Sequence, residues 1–182
     1  MRTSLRWFTL MLFVTLVHVA RGQSLCPWLN QATAGGALGA DVSMHVTLLP
    51  QPSHPARSPQ PAYPASDPRP DGMCEFSTHD QRSTLRIQVA TMANPKKQYE
   101  AAIRSSCPGT SHVLIGVGNQ AITCSTSSNG GVEDRVVAYV RNRLMLLRCN
   151  RTSVTTIHWQ GSDVTSEAVV QALAEQIAGS MY

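Results

Sequence analysis

The 182-residue sequence is short of aromatic side chains, at 5%, and of charge, at 14% Asp, Glu, Lys and Arg. With so few aromatics beside its arginines, it offers no stacking platform for single-stranded nucleic acid. Long apolar runs are missing too. The one extended apolar stretch covers residues 7–17, well short of the roughly 20 needed to span a bilayer. No Gly-x-Ser-x-Gly elbow, P-loop or His-Glu-x-x-His helix occurs, which removes the usual serine-hydrolase, nucleotide and zinc-peptidase signatures. Cys-x-x-Cys is absent, and His45, His54, His79, His112 and His158 show no i, i+3 or i+4 pairing. A metal site would therefore have to be assembled entirely by the fold, and neither metal nor cofactor is expected. At this length one domain is the natural reading, and coiled-coil and polytopic membrane architectures fall away.

What is present at the start is an export signal. Arg2 and Arg6 precede the apolar run, and Ala20 and Gly22 are the small residues expected at −3 and −1. Cleavage between Gly22 and Gln23 follows, with an uncleaved amphipathic anchor as the alternative. Leu25 before Cys26 is too bulky for a lipobox. The expected organisation is a signal peptide at 1–22 and a single domain at 23–182, secreted or periplasmic. Cleavage also changes the charge. The formal +4 includes Arg2, Arg6 and Arg21, so the mature chain carries about +1, too little for counterion-driven nucleic-acid binding.

All five cysteines lie in the mature region, and export puts them where disulfides persist. The preferred pairing is Cys26–Cys74, clipping the ends of a proline-rich excursion, with Cys107–Cys124. The latter closes a loop of about 17 residues, worth about 3 kcal/mol by chain entropy. Cys149 is then a buried free thiol, although Cys124–Cys149 is a rival bridge.

Between these cysteines the pattern alternates helices with strands. Residues 27–38 read as a short helix with Pro27 in its first turn and Gly39 at its end. Residues 42–49 suit a strand. Eight of the 11 prolines fall in residues 50–70, which read as an extended loop. Leu85, Ile87 and Val89 alternate with Arg86 and Gln88, the period of a half-buried strand. Asn94 and Pro95 open a helix to about Ser106, with Tyr99, Ala102, Ile103 and Ser106 on one face. Gly116-Val117-Gly118-Asn119 reads as a tight turn, since the third glycine of a dinucleotide fingerprint is missing. Asn129-Gly130-Gly131 and Arg141-Asn142-Arg143 each join two strand-like runs. A last helix from Ser162 carries Val170, Leu173, Ile177 and Met181. The expected class is α+β: an antiparallel sheet with N-terminal, middle and C-terminal helices packed on it.

Arg135, Arg141, Arg143, Arg148 and Arg151 concentrate positive charge in one hairpin. Strand alternation would set Arg141 and Arg143 side by side as an anionic-surface contact, or the arginines protect a sheet edge. His79-Asp80 is a possible acid–base pair and Glu133-Asp134 a possible cation contact. A solvated turn explains the first equally well, and a charged hairpin flank is the ordinary reading of the second. Asn150-Arg151-Thr152 fits a glycosylation sequon.

Cys26-Pro27-Trp28-Leu29, Leu38-Gly39, Cys74-Glu75-Phe76, Gly116-Val117-Gly118-Asn119-Gln120-Ala121 and the closing helix together resemble uncharacterised secreted bacterial envelope proteins. Among these is an actinobacterial lipoprotein family of unknown function. The resemblance implies an α/β/α-like sandwich similar to the extrinsic photosystem subunit fold, and it brings no catalytic residues. The bulky Leu25 and the proline-rich insertion depart from the pattern. The expected function is a non-catalytic binding or accessory domain of the envelope, its partner a protein or small-molecule ligand. Two alternatives stand: a hydrolase or thiol enzyme using Cys149 with His158 or His112, and a partner protein using residues 50–70 as a recognition arm.

Overall fold

A computed structural model describes residues 25–49, 71–128, 131–152 and 156–182. The expected signal peptide, the proline-rich segment and the expected turn at Asn129-Gly130 lie outside the described residues. The elements are α1 (Gln31–Leu38), β1 (Val42–Leu48), β2 (Gly72–Thr78), β3 (Thr84–Thr91), α2 (Pro95–Ser106), β4 (His112–Val113), β5 (Gln120–Ser128), β6 (Gly131–Val140), β7 (Arg143–Thr152), β8 (Thr156–Trp159), β9 (Ser162–Thr165) and α3 (Ser166–Ser180). Seven strands form one antiparallel sheet in the order β1-β2-β3-β7-β6-β5-β4, and β8-β9 is a separate hairpin. The fold is α+β, as the sequence pattern predicts.

Strand alternation divides the core between the two faces of the sheet. Phe76, Leu85, Ile87, Val136, Met145 and Leu147 face α1 and α3 in the larger cluster. Val137, Ile122 and Cys124 face α2, where Tyr99 and Ala102 are buried and the Tyr99 and Tyr139 rings meet edge to face at 5.1 Å. Both preferred disulfides form: Cys26–Cys74 ties the segment before α1 to β2, and Cys107–Cys124 ties the end of α2 to β5. The rival Cys124–Cys149 bridge is ruled out by geometry, because those residues point to opposite faces of the sheet.

Several boundaries differ from the sequence expectation. α1 starts at Gln31, because the Asn30 side chain accepts from Thr33 N at 2.8 Å. Trp28 and Leu29 instead enter the core beside the Cys26 bridge, and Gly39 ends the helix at φ 72°. α3 starts at Ser166, four residues later than Ser162. Ser162–Thr165 pairs with β8 across a turn in which Gln160 and Gly161 both have positive φ, the requirement of a tight hairpin. At Gly118 a Cβ would meet the Tyr139 carbonyl oxygen at 2.6 Å, so this close-packed turn requires glycine.

On the α2 face, Arg135 donates to both carboxylate oxygens of Glu133 at 2.9 Å and to the Ser106 carbonyl at 2.6 Å. The guanidinium holds the Glu133 carboxyl below its ordinary value. A depressed folded-state value gives stability that is present above the unfolded pKa and lost as pH falls through the folded one. Glu133→Gln is therefore expected to flatten the acid limb of the stability profile below about pH 4.5. Denaturation midpoints measured from pH 7 down to pH 3 check this, and an unchanged limb refutes it.

Candidate functional site

β7 is an interior strand, so its arginines do not protect an edge. Arg143, Met145, Leu147, Cys149 and Arg151 share the parity that faces α1 and α3, and all five are buried. Arg141 is exposed in the turn at φ 57°, which breaks the alternation, and its guanidinium carbon lies 5.2 Å from the Tyr182 ring centroid. Arg141 and Arg143 therefore do not lie side by side as a contact for an anionic surface. Glu133 and Asp134 likewise divide between the two faces and make no joint cation contact. Asp80 accepts from Thr78 Oγ1 at 2.7 Å and from Arg82 N, which makes it a turn cap instead of a partner for His79. The Thr78 hydroxyl is the main reason its carboxyl sits below the ordinary value.

At the edge of the larger core lies a polar chain that runs from buried Arg151 and Asp134 out to half-buried Ser166 and exposed Ser125. Arg151, 3% exposed, donates from Nε to Cys149 Sγ at 3.1 Å and from Nη1 to Ser166 Oγ at 2.9 Å. Ser166 Oγ donates in turn to Asp134 Oδ2, and Ser125 Oγ donates to Asp134 Oδ1 at 2.6 Å. The chain joins β5, β6 and β7 to the first residue of α3. Arg151 thus reaches the Asp134 carboxylate through a hydroxyl, and its Nη2 has no hydrogen-bond partner among the described residues.

Arg151 also lines an open cleft of about 1400 Å³ between α1, the start of β1, the β2–β3 turn and β8. Gln31, Ser43, His79, Ser83 and His158 add polar groups to its walls, while Val42, Met44 and Ile157 add apolar ones. α1 exposes backbone to the cleft at Gly35 and Gly36, and the Trp159 ring braces the helix against Gly36.

Cys149 is fully buried, and burial pushes its thiol above the ordinary value despite the Arg151 contact. Thiolate is the reactive form, so the native thiol is inert. A thiol reagent is expected to modify one group per chain in denaturant and to react at least about 10³-fold more slowly with the native protein. Fast native labelling would contradict the geometry. His112 is exposed on the outer strand β4, three strands away from Cys149 across the sheet. His158 Nδ1 lies 3.1 Å from Asp163 Oδ1, its cross-strand partner, with both side chains about three-quarters exposed. Among the described residues, no hydroxyl or thiol bonds its other ring nitrogen, no three metal-ligating side chains converge, and no helix is long and apolar enough to cross a membrane.

Sequence reasoning placed Arg151 with the surface arginines and missed Asp134, Ser166 and Ser125 as its supports. The usable signal was parity: Arg151 lies two residues from Cys149 and four from Leu147. Compared with known proteins, the chain matches no protein-family model and no curated protein sequence.

Proposed function

We propose that this chain is an exported, non-catalytic binding domain whose ligand occupies the cleft between α1, β1 and β8. The observation that carries the reading is Arg151, a buried and braced guanidinium with an unpartnered nitrogen, in the wall of an open cleft. Concave sites with a few convergent polar groups are the usual form of small-molecule binding sites. Two disulfides suit an oxidising compartment. The N-terminal signal pattern and the resemblance to envelope proteins support secretion or a periplasmic location.

The arrangement of the reactive groups does not support turnover. The buried thiol has a guanidinium for its partner, and the His158–Asp163 pair stands on an exposed hairpin with no nucleophile bonded to it. Ala32 is exposed on α1 at the cleft wall, so Ala32→Trp fills the cleft without entering the core. A ligand found by thermal-shift screening is expected to raise the melting temperature of the wild type and not of Ala32→Trp. It is also expected to be recovered chemically unchanged. Conversion of the ligand, or equal stabilisation of both proteins, overturns the reading.

A further inference from the structure

The charge inventory of the cleft narrows the ligand class, and this step rests on the cleft being the binding site. Elsewhere in the fold, Arg86 and Arg135 each touch a carboxylate directly, at 2.5 Å and 2.9 Å. Arg151 is more buried than either, yet it reaches Asp134 only through Ser166. A guanidinium has five N–H donors. Two of Arg151's are engaged, by Cys149 and Ser166, and those on Nη2 are not. Leaving a buried charge with unsatisfied donors is costly; Nη2 is shielded from solvent, so an anion reaches it through a side-chain shift in the cleft wall and then supplies both the missing acceptors and the missing charge.

We propose that the cleft binds a small organic anion whose carboxylate or phosphate group is received by Arg151. Guanidinium suits both groups, because its planar fork matches two anion oxygens at once. Cys149 and Ser166 fix the fork before the ligand arrives, which removes part of the ordering cost of binding. A cleft of about 1400 Å³ is far larger than a bare ion needs. The Ser43, Ser83 and Gln31 side chains offer hydrogen bonds to the rest of the molecule, so its body is polar and hydroxylated. The lining cations are Arg151 and, when protonated, His79 and His158; Asp41 is the one lining carboxylate among the described residues.

The test uses the oxidised mature protein with four probes: glucose 6-phosphate, gluconate, inorganic phosphate and uncharged glucose. Fluorescence of Trp159, which packs on the cleft helix, reports occupancy. At least one organic anion is expected to saturate and to bind tenfold or more tightly than glucose. The phosphate and carboxylate arms show which acid group is preferred. Arg151→Lys keeps the charge but loses the fork, and is expected to weaken that probe tenfold or more. Should that variant misfold, Ala32→Glu and Ala32→Lys change charge at an exposed wall position. They should weaken and strengthen the anion by about threefold each while leaving glucose unaffected.

Glucose binding as tightly as its anionic relatives, or anion affinity unchanged both by Arg151→Lys and by the charge at residue 32, sinks the anion assignment. If Ala32→Trp still abolishes that binding, the cleft stands as the site. No saturable binding of either organic anion below about 10 mM overturns the proposal.

Discussion

Replacing Asp134 with alanine is expected to cost about 3–5 kcal/mol of folding stability, because it strands a buried positive charge. Asp134 accepts hydroxyl bonds from Ser125 and Ser166, and Ser166 hands its negative field on to Arg151. Removing the carboxylate leaves the Ser125 and Ser166 hydroxyls without their acceptor and a buried guanidinium without any negative charge within one hydroxyl of it. Adding Arg151→Met to that variant should recover much of the loss, since deleting both charges removes the stranded one. Urea midpoints for wild type, both single variants and the double variant form the measurement. Coupling near zero would show that Ser166 does not connect the pair. Ser166→Ala isolates the connector, and its cost should be smaller because both charges survive.

The second large effect concerns the bridges. Cys26 and Cys74 are separated by 48 residues, Cys107 and Cys124 by 17. Constraining the longer loop in the unfolded chain is worth about 4 kcal/mol and the shorter about 3 kcal/mol. Cys26→Ala with Cys74→Ala should therefore destabilise more than the other double replacement. Packing adds to the difference, since Cys74 is fully buried and the Cys26 end carries Trp28 and Leu29 into the core. Denaturation of both double variants beside the oxidised wild type tests the ranking. A reversed order would mean that the tie between α2 and β5 carries more of the fold than loop entropy allows.

Much of this fold could be read from local pattern. The Leu85-Ile87-Val89 alternation and the Asn94-Pro95 start of α2 depend on near neighbours, and they appear in the structure as β3 and α2. The pairing of four cysteines was also legible. The boundaries at α1 and α3 were not, because distant contacts set them. A disulfide at Cys26 holds Trp28 and Leu29 in the core, and a hairpin with β8 captures residues 162–165. The site was the least legible part. Arginine in a strand reads as surface by default, and only the place of β7 between β3 and β6 makes Arg143 and Arg151 interior. Asp134 looked like a charged hairpin flank beside Glu133, yet the pleat sends the two to opposite faces. The Ser166 link spans 32 residues to Asp134, a distance that no sequence window covers.

The Cys26–Cys74 bridge also changes what it means to cut this chain. Together with the backbone between them, the two cysteines close a covalent ring, and residues 50–70 belong to its circumference. One hydrolysed peptide bond in that arc opens the ring without releasing a fragment. β1 stays bonded to β2 along all seven register pairs, and the bridge keeps both pieces one molecule until it is reduced. An enzyme trimming the proline-rich arc would thus leave the sheet and the cleft in place, and the molecule would record the event only as a new pair of chain ends.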